Sequence, residues 1–298
     1  MSTEAPGRIL RRKLEERRGM LVAGTAHALG ARLIEQLGFE AVYLSGAGIT
    51  NTFYGLPDLG FLSLADLAQH TAAVRDAVAL PLIVDADTGF GNALNVHHTV
   101  RTLERAGANA IQLEDQVMPK KCGHFDDKSV VDAAEARARI QAAVDARHSA
   151  DFLVIARTDA RAVHGLEAAL DRARLFIEAG ADVTFVEAPA SLEELRRIPQ
   201  ALSVPQLVNV VIGGKTPTLD ATEFGRMGYA MVLYANAALQ GAVLGMTQAL
   251  TRLRSTGRLD EDSGLVASFA QRQRLVRKDA LDALAARYTG DACDGQAP

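Results

Sequence analysis

The sequence predicts a (β/α)8 barrel with a C-terminal helical arm, on three observations. Eight short apolar runs lie between Met20 and Tyr234, and an amphipathic segment follows each of them. The runs are continuously apolar, as is typical of parallel strands buried on both faces. The repeating region has roughly the 250 residues of such a barrel. A doubly wound sheet is the alternative, but it usually has fewer strands and clearer switch points.

The strands and helices alternate along the chain. The predicted strands are Met20–Thr25, Ala41–Ser45, Pro81–Asp85, Ala110–Glu114, Phe152–Arg157, Val183–Glu187, Pro205–Val210 and Tyr229–Tyr234. The predicted helices are Ala26–Gln36, Leu64–Val78, Asn95–Ala106, Ala133–Arg147, Leu166–Ala179, Leu192–Ala201, Thr222–Met227 and Ala237–Thr256. Gly38, Gly107 and Gly180 follow three of these helices, where a glycine is typical of a C-terminal cap. The basic run 8–18 also contains Glu15 and Glu16, which favours a solvated helix face.

We assign residues 1–256 to the barrel and 257–298 to an arm and tail of the same domain. Leu265–Arg287 is expected to be partly helical, because apolar residues recur there at near-helical spacing. A lone amphipathic helix must bury its apolar face against something. We therefore expect a homo-oligomer, a homotetramer, with the arm at the interface. The apolar residues are Leu265, Val266, Phe269, Leu275, Val276, Leu281 and Leu284.

Composition excludes several function classes. The chain has 32 basic and 36 acidic residues, and the resulting charge of −4 argues against nucleic-acid binding. No apolar run reaches the roughly 18 residues that cross a bilayer, so no membrane partner is expected. Two cysteines cannot form a disulfide framework, which favours the reducing cytoplasm.

Polar residues stand where the predicted strands end, which is the end of a barrel that holds active sites. Asp85, Asp87 and Glu114 form a cluster of hard oxygen ligands suited to Mg²⁺. The alternative is a buried ion-pair network with Arg157. Glu187 and Asn209 end two later strands and are candidates for contacting a substrate.

The segment Lys120-Lys-Cys-Gly-His124 contains the candidate catalytic groups Lys121, Cys122 and His124. Neighbouring positive charge favours a thiolate or a readily donated proton at Cys122. The alternative is a buried structural cysteine.

Six motifs in order resemble the isocitrate lyase/phosphoenolpyruvate mutase superfamily. They are Tyr43-Leu-Ser-Gly-Ala-Gly, Gly55-Leu-Pro-Asp-Leu-Gly, Asp85-Ala-Asp-Thr-Gly-Phe-Gly, Glu114-Asp-Gln-Val, Lys120-Lys-Cys-Gly-His and Ala156-Arg-Thr-Asp-Ala. The resemblance covers roughly residues 8–290 and is strongest to the short lyases acting on 2-methylisocitrate or 2,3-dimethylmalate and to the carboxyphosphonoenolpyruvate phosphonomutase subgroup.

The resemblance implies a modified barrel whose last helix is exchanged between subunits in a dimer of dimers. It implies Mg²⁺, with Mn²⁺ able to substitute, near Asp85, Asp87 and Glu114, and a metal-bound water held by Asp58. A small carboxylate substrate would rest on the main chain at Ser45, Gly46 and Ala47 and pair with Arg157, while His124 and Asn209 would contact its other end.

Two positions depart from the superfamily pattern. Ile212 stands where relatives commonly have glutamate, and Ala235 stands where they usually have proline. Both lie where the distal part of a substrate would sit, so the identity of the substrate stays open.

We predict a Mg²⁺-dependent carbon–carbon lyase that forms an α-keto acid from a 2-hydroxy di- or tricarboxylate. Tyr43 is the candidate base, and Cys122 is the acid that protonates the carbanion left by cleavage. The alternatives are an oxaloacetate hydrolase or decarboxylase, a carbon–phosphorus mutase, and a non-catalytic relative that binds α-keto acids.

Overall fold

The computed structural model describes residues 4–121, 123 and 128–289. Eight parallel strands form a closed barrel in the order β1 to β8, with β8 paired to β1, which confirms the predicted fold. The strands are β1 Met20–Thr25, β2 Val42–Leu44, β3 Leu82–Asp85, β4 Ala110–Glu114, β5 Leu153–Thr158, β6 Val183–Val186, β7 Gln206–Asn209 and β8 Met231–Tyr234. Each strand begins within two residues of its predicted start.

Eight of the helices match the predicted ones, with ends that differ by at most two residues. The helices are α1 Pro6–Glu15, α2 Ala28–Gln36, α3 Gly46–Ile49, α4 Leu64–Ala77, α5 Ala93–Arg105, α6 Ala133–Ala146, α7 Ala160–His164, α8 Leu166–Glu178, α9 Leu192–Ala201, α10 Ala221–Met227, α11 Ala237–Thr256, α12 Phe269–Leu275 and α13 Lys278–Thr289. The sequence analysis missed α3, a π-helical turn at Thr50–Tyr54, and α7, which are too short to show a helical period.

Glycine ends the helices as predicted. Gly180 follows α8 with a φ of 97°, and the amides of Gly180 and Ala181 donate to the carbonyls of Ile177 and Phe176. These two bonds satisfy carbonyls that the end of the helix would otherwise leave open. Gly107 ends α5 in the same way, so the chain turns directly from each helix into the next strand.

The basic N-terminal segment is more than a solvated face. It forms α1, whose Leu10 and Leu14 are fully buried with Met20 and Leu153 inside the barrel. The solvated-face interpretation was therefore incomplete, because two leucines four residues apart give the helix one narrow apolar stripe. Helix α1 closes the amino end of the barrel and leaves the carboxyl end for the site.

The chain divides into two compact units, residues 1–239 and 240–298. In the second unit the predicted arm is not one continuous helix. It breaks between α12 and α13 at Arg277, whose φ of 56° is incompatible with a right-handed helix. In the described part of the chain, no helix is long and apolar enough to cross a membrane.

Candidate active site

Asp85 and Asp87 meet at the carboxyl end of β3. Asp87 has a φ of 47°, which is a strained conformation for a residue other than glycine. Its carbonyl accepts a hydrogen bond from the Glu114 amide, and this bond helps to hold the residue in that conformation. The Gly46 amide donates to Asp85 Oδ2 at 3.3 Å. A Cβ on Gly46 would lie 3.2 Å from Asp87 Oδ1 and 3.4 Å from Asp85 Oδ2, so both carboxylates face the start of α3.

The buried ammonium of Lys120 balances part of this charge. Its Nζ lies 2.8 Å from Asp87 Oδ1 and also pairs with Asp58. Burial raises the pKa of Asp87 to about 6; Lys120 opposes the shift, while Asp85 and Asp58 add to it. Burial disfavours the charge on Lys120, but Asp87 and Glu114 outweigh burial and raise the pKa of Lys120 well above its usual range.

Arg157 is the second buried cation of the site. Its Nε lies 2.9 Å from Asp159 Oδ2, and its Nη1 lies 3.3 Å from Glu114 Oε2. Glu187 approaches Arg157 Nε at 3.9 Å. Burial opposes a charge on Asp159, but Arg157 and Lys128 outweigh it and lower the pKa of Asp159.

Glu114 is only partly satisfied by these contacts. Its Oε1 is buried and accepts no hydrogen bond from the described residues. Burial raises the pKa of Glu114 well above its usual range, although Arg157 opposes that shift. A buried carboxylate oxygen without a donor is costly, and a cation beside it would remove that cost.

The charged side chains at the carboxyl end of the barrel favour the binding of a divalent cation. Six carboxylates lie at this end, and among the described residues five of them pair with three cationic groups, while Asp85 accepts a main-chain amide. The carboxylates are Asp58, Asp85, Asp87, Glu114, Asp159 and Glu187, and the cations are Lys120, Lys128 and Arg157. Among the described residues, no group of three or more histidine, cysteine, aspartate or glutamate side chains is placed to hold a metal ion as a cage. Such a cage is not required by Mg²⁺, which keeps several waters and few protein ligands.

The other predicted residues fall into four groups. Ser45 caps α3, with its Oγ accepting the Gly48 amide, and Ala47 lies within that helix. Asn209 ends β7, and its buried Oδ1 has no donor among the described residues. Lys121 exchanges main-chain hydrogen bonds with the side chain of Gln116. Cys122 and His124 lie outside the described residues.

Tyr43 lies on β2, only 2% exposed. Burial, followed by the negative charge of Asp85, raises the pKa of its phenol well above the usual value. This environment favours the neutral phenol over the phenolate that a base requires.

The two departures from the superfamily pattern lie on the loops after β7 and β8. Ile212 is 53% exposed, so its apolar side chain is available to a ligand or to another surface. Ala235 follows β8, and its carbonyl would lie 2.0 Å from a Cβ on Gly24. Only a glycine at position 24 allows the two strands to approach so closely.

Four residues that contact the site were not among the predicted site residues: Gln116, Lys120, Lys128 and Asp159. Asp159 had a usable signal, since it follows Arg157 by two residues at the end of β5. Lys120 lies in the Lys-Lys-Cys-Gly-His motif. Nothing in the sequence distinguishes Lys128 from a surface lysine, because only the fold brings it to Asp159.

The sequence as a whole is similar to known proteins. It matches the phosphoenolpyruvate phosphomutase family over residues 10–254. The chain belongs to this family. The match includes every predicted strand and every site residue named above.

Relatives of this chain in the phosphomutase family include lyases. The chain is 45% identical to the 2-methylisocitrate lyase of Aeropyrum pernix, over 85% of this chain and 82% of that protein. It is 44% identical to the 2,3-dimethylmalate lyase of Eubacterium barkeri, over 82% and 85% of the two chains. A crystal structure of 2,3-dimethylmalate lyase superposes with a TM-score of 0.90 at 35% identity, covering 99% of each chain.

A further structural relative was crystallised with a metal. This phosphonopyruvate hydrolase, in complex with oxalate and Mg²⁺, has a TM-score of 0.86 at 31% identity and covers 96% of this chain and 99% of its own.

Proposed function

We propose that this protein is a Mg²⁺-dependent carbon–carbon lyase. Its substrate is a 2-hydroxy di- or tricarboxylate of the 2-methylisocitrate or 2,3-dimethylmalate type, and its products are an α-keto acid and a second carboxylic acid. The observation that best supports the proposal is the acidic excess around Asp85, Asp87 and Glu114 beside the buried Arg157. The names of its relatives supply the substrate class.

Asp85, Asp87 and Glu114 would hold the cation, and Asp58 would hold one of its waters. A bound Mg²⁺ supplies positive charge that acidifies the substrate hydroxyl and stabilises the α-keto acid as it forms. The phosphonopyruvate hydrolase complex supports this choice of metal, and Mn²⁺ should replace it because both prefer oxygen ligands.

The substrate carboxylate would pair with Arg157 and rest on the main chain of Ser45, Gly46 and Ala47. Asp159 accepts hydrogen bonds from Nε and Nη2 of Arg157. The third guanidinium nitrogen, Nη1, lies next to Glu114, one of the proposed metal ligands. The distal end of the substrate would meet Asn209, Glu187 and His124.

Cleavage requires two proton transfers, which we assign to chain residues. Tyr43 would accept the proton of the substrate hydroxyl as its phenolate, and the positive charge of Arg157 opposes the burial that raises the pKa of its phenol. The bond between the hydroxyl-bearing carbon and its neighbour then breaks, and its electron pair stays on the neighbour. Cys122, beside Lys121, donates its thiol proton to that carbon. A thiol acid must stay reduced, which supports the expected cytoplasmic location.

A panel of candidate substrates tests the reaction. We expect an α-keto acid to be released from 2-methylisocitrate or 2,3-dimethylmalate, detected as its phenylhydrazone. Oxaloacetate and phosphonopyruvate, assayed in parallel, should give kcat/KM values at least about a hundredfold lower, which corresponds to about 2.7 kcal/mol of discrimination. Preferential turnover of oxaloacetate or phosphonopyruvate would instead assign the protein to the hydrolase, decarboxylase or mutase branches.

We also propose that the protein is a homotetramer assembled through its second unit. None of the residues of α11, α12 and α13 is buried, although these helices expose large apolar side chains. Leu250 is 63% exposed and Phe269 is 62% exposed. Such a surface is typical of an interface.

Light scattering at micromolar concentration should give the mass of four chains. Leu250→Glu combined with Phe269→Glu should shift the mass to a smaller species, because a carboxylate in an apolar interface loses its hydration. The control is Leu37→Glu, at a residue that is 67% exposed in the first unit and should leave the mass unchanged. A monomeric wild-type protein would contradict the proposal.

A further inference from the structure

The segment between β4 and α6 is anchored to the barrel on both sides of position 122. On its first side, the side chain of Gln116 is 1% exposed and forms two hydrogen bonds with the main chain of Lys121. Gln116 Nε2 donates to the Lys121 carbonyl at 2.8 Å, and the Lys121 amide donates to Gln116 Oε1 at 2.9 Å. These two hydrogen bonds hold the main chain at position 121 against a buried side chain.

On the second side, the ammonium of Lys128 donates to the carbonyl of Gly123. The same Nζ lies 2.8 Å from Asp159 Oδ1. The Lys128 side chain is 2% exposed and Asp159 is 0% exposed. A lysine this deeply buried is retained only where its charge is paired, so its partners determine where it sits.

Gly123 in turn lies directly against the substrate-binding arginine. A Cβ at this position would lie 2.4 Å from Arg157 Nη2 and 2.5 Å from Glu187 Oε1. The main chain of residue 123 therefore fills the space beside Arg157 and Glu187, and no larger residue fits without moving one of them. Asp159 connects Lys128 to Arg157, because its carboxylate accepts hydrogen bonds from both side chains.

We propose that Lys128 is a positioning residue for the reaction. It holds the peptide at Gly123 against Arg157 and Glu187, and through Asp159 it connects that peptide to the group that binds the substrate carboxylate. Cys122 lies between Lys121 and Gly123 in sequence, so Gln116 and Lys128 together fix the main chain on either side of the proposed acid. The inference rests on the proposed function in taking Cys122 as that acid and Arg157 as the group that binds the substrate carboxylate.

The reactivity of the thiol tests the inference without any substrate. In a Cys293→Ser background, Cys122 is the chain's only cysteine. We expect Lys128→Met, which keeps the length of the side chain and removes its charge, to change the rate of alkylation by iodoacetamide at least about fivefold, because the main chain at Gly123 loses its anchor. Lys128→Arg, which keeps a cationic donor, should recover part of the wild-type rate.

Kinetics supply the second readout. With 2-methylisocitrate, Lys128→Met should lower kcat at least about tenfold, while the Kd for pyruvate, used as an α-keto acid probe, should change less than about threefold. The matched control is Lys13→Met, since Lys13 pairs with Glu40 at the opposite end of the barrel. This control should leave the alkylation rate and kcat unchanged.

Gly123→Ala reaches the same peptide without removing a charge. Its methyl group must displace residue 123 from Arg157 or Glu187, so it should reproduce the altered alkylation rate even if Lys128→Met does not fold. Wild-type alkylation rates in whichever of these variants fold would overturn the inference. That result is distinct from failure of the proposed function, which Cys122→Ser tests separately.

Discussion

Replacing Asp85 with alanine should abolish turnover and leave the barrel folded. Asp85 faces Gly46 at the solvent-facing end of β3 and is not part of the apolar core, so its loss removes a proposed metal ligand without opening a cavity. A metal that stabilises the developing charge contributes several kcal/mol, so we expect kcat/KM to fall on the order of a thousandfold or more. EDTA treatment of the wild-type protein should have the same effect, and Mg²⁺ or Mn²⁺ should reverse it.

The binding of Mg²⁺ should also depend on pH. Asp87 in the metal-free protein has a pKa raised to about 6, so below that pH a bound proton competes with the cation. Calorimetric titration should show that the affinity for Mg²⁺ falls as the pH drops through 6.

The matched control for Asp85→Ala is Asp76→Ala, at an exposed position on α4, and it should retain full activity. Undiminished turnover in metal-stripped protein would refute the assignment.

Replacing Cys122 with serine should cost about 10²–10⁴-fold in kcat, the typical contribution of a general acid. A serine hydroxyl is only slightly smaller than the thiol but is a far weaker acid, so protonation of the carbanion becomes slow. Binding of an α-keto acid should be nearly unchanged, because Arg157 and the metal ligands hold it independently. Steady-state kinetics and a direct titration with pyruvate separate the two effects.

The outcomes of this experiment distinguish the alternatives. A loss below roughly tenfold would not fit a general acid. Wild-type turnover would favour a decarboxylase that forms an enolate without needing this proton. Lost binding together with lost activity would mean that Cys122 is structural. Cys293→Ser, in the C-terminal tail, is the matched control and should behave as the wild type.

The order of the eight strands and of the eight helices that match the predicted ones followed from the sequence alone. A continuous apolar run such as residues 153–156 is satisfied by burial on both faces, and a glycine marks where three of the helices stop. Because the strands are parallel, the same logic placed Asp85, Glu114, Arg157 and Asn209 at one end of the barrel. The local pattern of the chain contained this information.

Tertiary structure alone decided how those groups pair. Lys128 reaches Asp159 across 31 residues, and Lys120 reaches Asp58 across 62, so no local pattern marks either contact. The raised pKa of Tyr43 likewise depends on burial among strands distant in sequence. The electrostatic energy of a charged side chain depends on all the groups that surround it. In a barrel those groups come from several strands that are distant in sequence. Only the closed fold therefore determines which lysine is a surface residue and which is part of the site.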